Sequence, residues 1–328
     1  DEDRPSRANL SAEAGDILFA KMQGTRKTLL LDSETEENIY STGFYAVRAN
    51  PEVITTECLY YLIDSELFLA QKDKNCSGAT QKAITNGGMA KIEISVPALS
   101  EQGILVNKLK HLTQLIADKK KQLNLFDEII KSRFIEMFGD PVTNPLRWAM
   151  LPLEKCLTVL GGYAFKSEEF KTSGVPVLRI GNINTGAFTP TNMVYWSKDD
   201  CLTRYQVLPG DLVISLTGTV GKDDYGNVCI LGDAYPMYYL NQRNAKLILD
   251  DELNKHYLSE LLKFSQIKKK LTGISRGVRQ ANISNRDILN LVVPIPPIEI
   301  QVQFAAFVEQ VDKSKYHGEF TCEMEVAA

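Results

Sequence analysis

The side chains best suited to chemistry in this sequence are the cations and amides of residues 254–286. Eight lysines and arginines in this window face a single acid, Glu260, although the whole chain has a formal net charge of -4. A local excess of positive charge is typical of a surface that binds phosphate groups. A solvated helix face followed by a surface loop would give the same pattern. The eight cations are Lys255, Lys263, Lys268, Lys269, Lys270, Arg276, Arg279 and Arg286.

The loop at residues 272–285 holds the side chains best suited to read base edges. Arginine can form two hydrogen bonds with guanine, and glutamine or asparagine can form two with adenine. The side chains of these types are Arg276, Arg279, Gln280 and Asn282. A matching polar loop earlier in the chain offers Thr80, Gln81 and Lys82. Two domains that read different base sequences would carry loops at matching positions with different side chains. Two surface loops that diverged without any function would show the same difference.

Four further polar side chains are candidates for contact with a nucleic acid. For three of them, an exposed position on the surface without a binding role is an equally good explanation. Those three are Lys166, in a glycine-rich loop, and Arg179 and Asn182, where an apolar strand runs into a loop. The fourth, Lys222, lies in a strand-end turn. This turn is no nucleotide-binding phosphate loop, because its spacing is wrong and Asp223 stands where that motif requires Ser or Thr.

Signatures of catalysis and of metal binding are missing from the sequence. It has no GxxxxGK[ST], GxSxG or HExxH motif, and no Asn or Asp followed by Pro-Pro-Tyr, as in adenine methyltransferases. Its six cysteines form no CxxC pair, and it has only three histidines. We therefore expect no catalysis, no metal site and no cofactor on this chain, and reduced thiols, as in a cytosolic protein.

Length and composition favour a soluble protein of two domains, with three as the alternative. The 328 residues are 44% hydrophobic, which is enough for real cores. Residues 1–14 are polar and contain no apolar signal segment, and no apolar run reaches membrane-spanning length. We expect a cytoplasmic location. Since the first residue is Asp1, the sequence could be a fragment.

A long helix over residues 99–138 is the element that must position these loops. At 1.5 Å per residue it would extend about 55 Å, which suggests a coiled-coil-like spacer whose apolar stripe needs a partner. Gly139-Asp140-Pro141 would end it. The stripe consists of Leu105, Leu109, Leu112, Ile116, Leu123, Phe126, Ile130 and Phe134.

The chain also contains an internal repeat with a period near 200 residues. Gly15-Asp16-Ile17-Leu18 matches Gly210-Asp211-Leu212-Val213, and residues 78–84 match residues 277–283. Val96-Pro97 matches Val293-Pro294, and Gln102 matches Gln301. Each copy is predicted to be a β-rich domain followed by a helix, and residues 92–97 are predicted to be an edge strand.

The two copies are incomplete at opposite ends. Residues 148–209 form a front part that the first copy mostly lacks. The second helix is predicted to start at Pro297 and to end near Lys315, and residues 316–328 lose the apolar period. A second helix of that length covers only half of its partner. We therefore expect Leu123, Phe126, Ile130 and Phe134 to form a docking surface for another subunit.

Several blocks resemble the specificity subunit of type I restriction-modification enzymes. The most specific is Phe134-Ile135-Glu136-Met137-Phe138-Gly139-Asp140-Pro141, followed by Trp148 and Leu151-Pro152-Leu153. Residues 205–211 and residues 294–301 resemble the family as well, and the similarity extends over about residues 10–315.

The resemblance implies an α+β fold of two β-rich target-recognition domains, the first truncated, separated by long antiparallel coiled-coil-like helices. On this scheme residues 1–97 form the partial first domain, 98–140 the long helix, 141–296 the second domain, 297–315 the truncated second helix and 316–328 a tail. Each domain would read half of a split site in double-stranded DNA, and the helices would set the gap.

The resemblance further implies a non-catalytic subunit that contributes to defence against foreign DNA. Methyltransferase subunits, which bind S-adenosylmethionine, and restriction subunits, which use ATP and Mg²⁺, would assemble on it. Two alternatives stay open: a coiled-coil scaffold that does not bind DNA, and an inactive or half-type fragment of a specificity subunit. A fused restriction-methylation enzyme is disfavoured by the missing motifs.

Overall fold

A computed structural model describes residues 8–35, 38–79, 81–273 and 280–327 of the chain. Side chains are described throughout these ranges, except for Ala8, Gln280 and residues 316–327. The chain divides into two compact units, Asp1–Lys120 and Lys121–Ala328, and the division falls inside the predicted long helix. The α+β prediction is confirmed.

The described part of the first unit contains five short strands and three short helices, followed by the start of the long helix. Thr55 and Ser65 cap the first two helices, where each hydroxyl accepts a hydrogen bond from a first-turn backbone N–H. The strands are β1 (Ala8–Leu10), β2 (Ile17–Ala20), β3 (Thr28–Leu30), β4 (Tyr40–Ser41) and β5 (Phe44–Val47). The helices are α1 (Thr56–Ile63), α2 (Glu66–Lys74), α3 (Asn86–Met89) and α4 (Leu99–Phe138).

Among its described residues, the second unit adds twelve strands and four helices. Its strands are β6 (Ala149–Pro152), β7 (Leu157–Gly161), β8 (Val175–Leu178), β9 (Val194–Trp196), β10 (Gln206–Val207), β11 (Leu212–Ser215), β12 (Thr217–Thr219), β13 (Val228–Ile230), β14 (Tyr238–Leu240), β15 (Asn244–Leu249), β16 (Gln280–Asn282) and β17 (Val292–Ile295). Its helices are α5 (Lys255–Lys263), α6 (Ser265–Thr272), α7 (Asn285–Leu289) and α8 (Ile298–Ala327).

Sheet topology confirms the internal repeat. The first unit has an antiparallel sheet in the order β3-β2-β5, and the second has β13-β11-β15 with β7 added beyond β15. The registers also match, since Ile17 lies opposite Val47 and Leu212 lies opposite Leu247. The second unit carries a further sheet in the order β10-β14-β8-β9. Its antiparallel pair β10-β14 corresponds to the pair β1-β4 of the first unit, whereas β8 and β9 have no counterpart among the described residues of the first unit.

The predicted edge strand at residues 92–97 is wrong, because the structure assigns no strand there. Its counterpart β17 forms an antiparallel pair with β6, in which Val293 lies opposite Leu151. Among the described residues of the first unit, no strand equivalent to β6 lies beside residues 92–97. An alternating sequence without a pairing partner does not form a ladder.

The repeated Gly-Asp pair builds the same turn in both units. Gly15 and Gly210 have φ angles of +88° and +85°, which favour glycine because it has no Cβ. Each following aspartate accepts a hydrogen bond from the backbone N–H three residues earlier, at 2.9 Å for Asp16 and 2.8 Å for Asp211. A cation from the neighbouring strand region completes each turn: Arg48 contacts Asp16 at 2.6 Å, and Lys246 contacts Asp211 at 2.7 Å.

The Asp16 turn gives the first unit a defined sensitivity to acid. The hydrogen bond from Arg48 lowers the pKa of Asp16, burial opposes this, and the backbone N–H of Glu13 lowers the pKa further. A carboxylate whose pKa is lower in the folded state stabilises the fold above its unfolded pKa of about 3.9, and this contribution is lost as pH falls through the folded pKa. We expect Asp16→Asn to reduce the fall in the urea midpoint between about pH 6 and about pH 3. Exposed Asp251→Asn is the control, and equal acid sensitivity of the two variants would contradict the prediction.

The predicted long helix is confirmed as α4, whose 40 residues extend about 60 Å at 1.5 Å per residue. Within the second unit, α8 runs antiparallel to the end of α4. The Phe304 ring lies 5.5 Å from that of Phe134, whereas Lys315, further along α8, binds Asp127 of the preceding turns of α4 at 2.7 Å.

The predicted docking surface on α4 is not supported for its two most apolar positions. Ile130 is 3% exposed and Phe134 is fully buried in the core of the second unit, while Leu123 and Phe126 are half-buried. The prediction failed because α8 begins beside the end of α4 and therefore covers this part of the stripe. The predicted end of the second helix at Lys315 is also corrected, since α8 continues to Ala327 through a stretch without proline.

Candidate nucleic-acid interface

A two-stranded ribbon in the second unit brings together two of the predicted contact regions. Strand β12 pairs with β16 so that Thr217 lies opposite Asn282 and Thr219 lies opposite Gln280. Asn282 is exposed, whereas Ala281 and Ile283 on either side are buried. The alternation of a strand therefore turns the Asn282 amide towards solvent. The predicted Arg276 and Arg279 lie outside the described residues, as does the side chain of Gln280.

The turn that follows β12 carries Lys222, which is exposed. Asp224 supports this turn by accepting a hydrogen bond from the Thr219 backbone N–H at 2.8 Å, and this bond lowers the pKa of Asp224. Lys268, which is 8% exposed, reaches the turn from α6, where it pairs with Asp223 and donates to Asn227 Oδ1 at 2.6 Å. These contacts hold the turn that carries Lys222.

The turn between β14 and β15 lies against the ribbon and was missed by sequence reasoning. The backbone N–H of Leu216, just before β12, donates to the Arg243 carbonyl at 2.8 Å, and both Arg243 and Gln242 are exposed. The Gln242 backbone N–H donates at 2.9 Å to the carbonyl of Tyr163, a residue that is 38% exposed. One sequence signal could have revealed this turn: four consecutive polar residues, 241–244, between apolar segments.

The remaining single-residue predictions have different outcomes. Lys166 is exposed and pairs with Glu169 at 3.4 Å. Arg179 is half-buried and donates to the Asn192 carbonyl at 2.6 Å. The prediction for Asn182 is corrected. Asn182 is 3% exposed, and its amide group accepts from the backbone N–H of Arg179 and donates to two carbonyls of the following loop. A side chain with these partners holds a turn together and has no free edge for a base.

Part of the predicted cationic window is engaged in contacts within the protein. Lys263 pairs with Glu260, Lys255 donates to the Gly210 carbonyl at 3.2 Å, and Lys268 is buried. Among the described cations of the window, the exposed ones without such a contact are Lys269, Lys270 and Arg286.

The first unit places its own predicted loop at the corresponding point of the repeat. Met22 forms an isolated bridge with Ala83, and the Gln23 backbone N–H donates to the Lys82 carbonyl at 2.9 Å. Gln81 and Lys82 are exposed, and Thr80 lies outside the described residues. Two backbone bonds reproduce those of the second unit, from Lys21 N–H to the Gly43 carbonyl and from Ile84 N–H to the Lys21 carbonyl, each at 2.9 Å. The equivalent bonds there join Leu216 to Arg243 and Ile283 to Leu216.

A buried lysine holds the segment between β2 and β3, to which the loop of Gln81 and Lys82 is hydrogen-bonded through Gln23. Lys72 of α2 is 1% exposed and donates to the carbonyls of Ala20, Met22 and Thr25 at 3.4, 3.2 and 2.7 Å. The neighbouring Asp73 accepts from the Gly24 backbone N–H at 3.1 Å. In each unit, a buried lysine therefore holds the polar segment that follows the central strand, which is β2 in the first unit and β11 in the second.

Neither a cluster of metal-ligating side chains nor a membrane-spanning helix occurs within the part of the chain that the structure describes. The exposed polar turns of the two units are the candidate site. They present amide and guanidinium groups that can donate to base edges, and ammonium groups that can contact phosphates.

Comparison with known families gives a match over most of the chain. The family model described as the type I restriction modification DNA specificity domain matches residues 8–125 and 145–318. The chain is 27% identical over 244 residues to the type I restriction enzyme MjaVIII specificity subunit of Methanocaldococcus jannaschii, a match that covers 67% of this chain and 55% of that protein. It is 26% identical over 188 residues to the EcoKI specificity subunit of Escherichia coli, covering 52% of this chain and 38% of that protein.

Two solved structures share the fold. A chain from a study of assembly and conformational transition in the type I R-M system has a TM-score of 0.51 at 20% identity, covering 99% of this chain and 81% of that one. A type I restriction-modification S subunit from M. genitalium has a TM-score of 0.53 at 13% identity, covering 96% of this chain and 80% of that one. The present chain spans about half the length or less of the two curated relatives, at 55% and 38%.

Proposed function

The chain belongs to the type I restriction modification DNA specificity domain family, and we propose that it is a DNA-reading subunit that recognises a site in two halves. The observation that carries the proposal is the repeated site. Each unit presents an exposed polar segment after the central strand of the same three-stranded sheet, and a buried lysine contacts this segment in each unit. A rigid polar turn can place donors in the major groove of DNA, and the duplication supplies two such turns.

In the second unit we assign base reading to Asn282 and Arg243, and phosphate contact to Lys222. Asn282 is exposed on a short strand ribbon, and the amide of asparagine matches the paired donor and acceptor of adenine. Arg243 is exposed on the adjacent turn and matches guanine. Lys222, a point charge on the turn after β12, suits a phosphate group better than a base. In the first unit, Gln81 and Lys82 lie on the segment that corresponds to β16, at the positions of Gln280 and Ala281, while Ala83 and Gly43 stand at the positions of Asn282 and Arg243.

We further propose that the chain acts without catalysis of its own, as part of a larger complex in the cytoplasm. Methyltransferase subunits that bind S-adenosylmethionine, and restriction subunits that use ATP and Mg²⁺, would carry out the chemistry. The family supports this division of labour. Lys166 and Arg179 remain candidates for contacts at the edge of the interface, and Arg276, Arg279, Gln280 and Thr80 remain candidates within it.

Substitutions at the ribbon should separate base reading from phosphate contact. We expect Arg243→Ala and Asn282→Ala each to weaken binding to the preferred duplex by about 1–3 kcal/mol and to relax the base preference at one position. Lys222→Ala should weaken binding to every duplex alike and lower the salt dependence by about one phosphate contact. The measurement is selection from random duplexes by the chain assembled with a methyltransferase subunit, followed by titration at several salt concentrations.

Exposed Lys155→Ala serves as the matched control, since Lys155 lies on the short helical turn after β6. It should leave base preference and salt dependence unchanged. Assembly with the methyltransferase subunit in the absence of any salt-dependent DNA binding would support a scaffold and overturn the proposal. Binding without change in Arg243→Ala and Asn282→Ala would overturn the assignment of the second-unit site.

A further inference from the structure

Two fully buried glutamines occupy matching positions in the first turns of α4 and α8. Gln102 and Gln301 are both 0% exposed, 199 residues apart in the sequence. A buried amide needs partners for its acceptor and its two donors, since unpaired polar groups destabilise a protein interior. Both side chains find these partners among backbone groups.

The partners of the two glutamines are equivalent throughout. Gln102 Oε1 accepts from the Thr55 backbone N–H at 2.8 Å, and Gln301 Oε1 accepts from the Asn254 backbone N–H at 2.9 Å. Thr55 and Asn254 are the residues that cap α1 and α5. Each Nε2 donates to two carbonyls, those of Val53 and Pro97 for Gln102 and those of Glu252 and Pro296 for Gln301. Each glutamine therefore ties a long helix to the start of the first domain helix.

The apolar contacts around the two junctions differ greatly in extent. At the first junction, the buried cluster that includes α4 consists of Ile54, Cys58 and Val106. At the second, α8 shares a large core with the aromatic rings of Phe134 and Tyr257. A small apolar cluster resists tilting of a helix less than a large one does. The hydrogen bonds of Gln102 therefore contribute a larger share of the restraint on the tilt of α4 than those of Gln301 contribute to the restraint on α8.

We propose that Gln102 is a positioning residue that fixes the angle at which α4 leaves the first unit, and that it thereby sets the number of base pairs between the two half-sites. This inference rests on the proposed function. A tilt of about 3° at one end of a 60 Å helix moves the other end by about 3 Å, close to the rise of one base pair. A small change in the tilt of α4 at Gln102 therefore changes the spacing between the half-sites by a whole base pair.

The test is selection of bipartite sites from a random duplex library by the chain assembled with a methyltransferase subunit. Gln102→Met keeps the length of the side chain and removes all three hydrogen bonds. Gln102→Glu keeps the acceptor for Thr55 and removes both donors. Exposed Gln114→Met is the matched control on the same helix, where Gln114 donates to Asp118 at 3.0 Å. Thermal unfolding of each variant is measured in parallel.

We expect the wild type and Gln114→Met to select a single spacing, and Gln102→Met to select the same half-site sequences with the spacing changed or broadened by one base pair or more. Gln102→Glu should lie between them. An unchanged single spacing in Gln102→Met, with only a lower melting temperature, would overturn the inference and leave the proposed function intact. If neither Gln102 variant assembles, the glutamine is required for folding and the positioning role is rejected. If the wild type selects no bipartite site, the proposed function itself fails.

Discussion

Replacing Phe134 with alanine is expected to destabilise the second unit by about 3–5 kcal/mol. The Phe134 side chain is fully buried, and its ring lies 4.9 to 5.5 Å from four other aromatic rings. Truncation would remove these contacts and leave a cavity in a core whose neighbours are rigid rings with little freedom to collapse into it. The four rings are those of Phe138, Tyr257, Phe264 and Phe304.

The next residue on the same helix supplies the control for Phe134→Ala. Ile135 is 38% exposed, and Ile135→Ala should change the stability by less than about 1 kcal/mol. Urea unfolding of the isolated chain, followed by circular dichroism, measures both variants. Equal midpoints for the two variants would contradict the burial of Phe134. Loss of partner binding at unchanged stability would restore the interpretation of this stripe as a docking surface.

Lys72→Met is expected to destabilise the first unit by about 2–4 kcal/mol and to weaken DNA binding by its polar loop. The ammonium group of Lys72 is buried, donates to three backbone carbonyls and lies 3.3 Å from Asp73. Methionine fills a similar volume but removes a donor from each of the three carbonyls, of which that of Met22 keeps the hydrogen bond from the Thr25 backbone N–H at 3.3 Å, and it leaves Asp73 without its cation. Because Asp73 is partly exposed, water would recover some of the loss.

Lys74→Met is the matched control for Lys72→Met, because Lys74 lies two residues further along α2 and is exposed. Lys74→Met removes the same charge from the chain as Lys72→Met, so a change in DNA affinity that both variants share reports the loss of net charge alone. The expected difference between the two variants is a lower urea midpoint and a faster hydrogen exchange of residues 20–25 in Lys72→Met. Similar midpoints and exchange rates would show that the lysine does not hold the loop.

Elements that depend on local periodicity could be predicted from the sequence. Helix α4 begins and ends where the pattern and the stop at Gly139 placed it. The matched Gly-Asp turns and glutamines were found as a repeat, and each pair has the same contacts in the structure. These predictions were correct because the sequence pattern that determines each feature lies within a few residues of it.

Features that depend on which element covers another could not be predicted in this way. The predicted stripe of α4 was correct at Ile130 and Phe134 but wrong at Leu105 and Ile116, which are 38% and 43% exposed. The half of the stripe that is covered was also predicted wrongly, because the sequence does not state beside which end of α4 the helix α8 begins. Asn182 was assigned to the surface because polarity does not distinguish a turn-holding amide from an exposed one. Arg243 was missed because its importance arises from β14 and β15 meeting the ribbon, a long-range pairing.

The matched backbone hydrogen bonds around the polar turns have a consequence for how the sequences of such chains evolve. The sheet β3-β2-β5 and the sheet β13-β11-β15 keep the same order and register, yet the segment that leaves the central strand is 7 residues long in one unit and 12 in the other. The framework therefore accepts turns of different length at one fixed pair of anchor points. Recombination that exchanges only this segment would give a new recognition surface in one step, provided that the incoming segment replaces the core side chains of Leu216 and Tyr225.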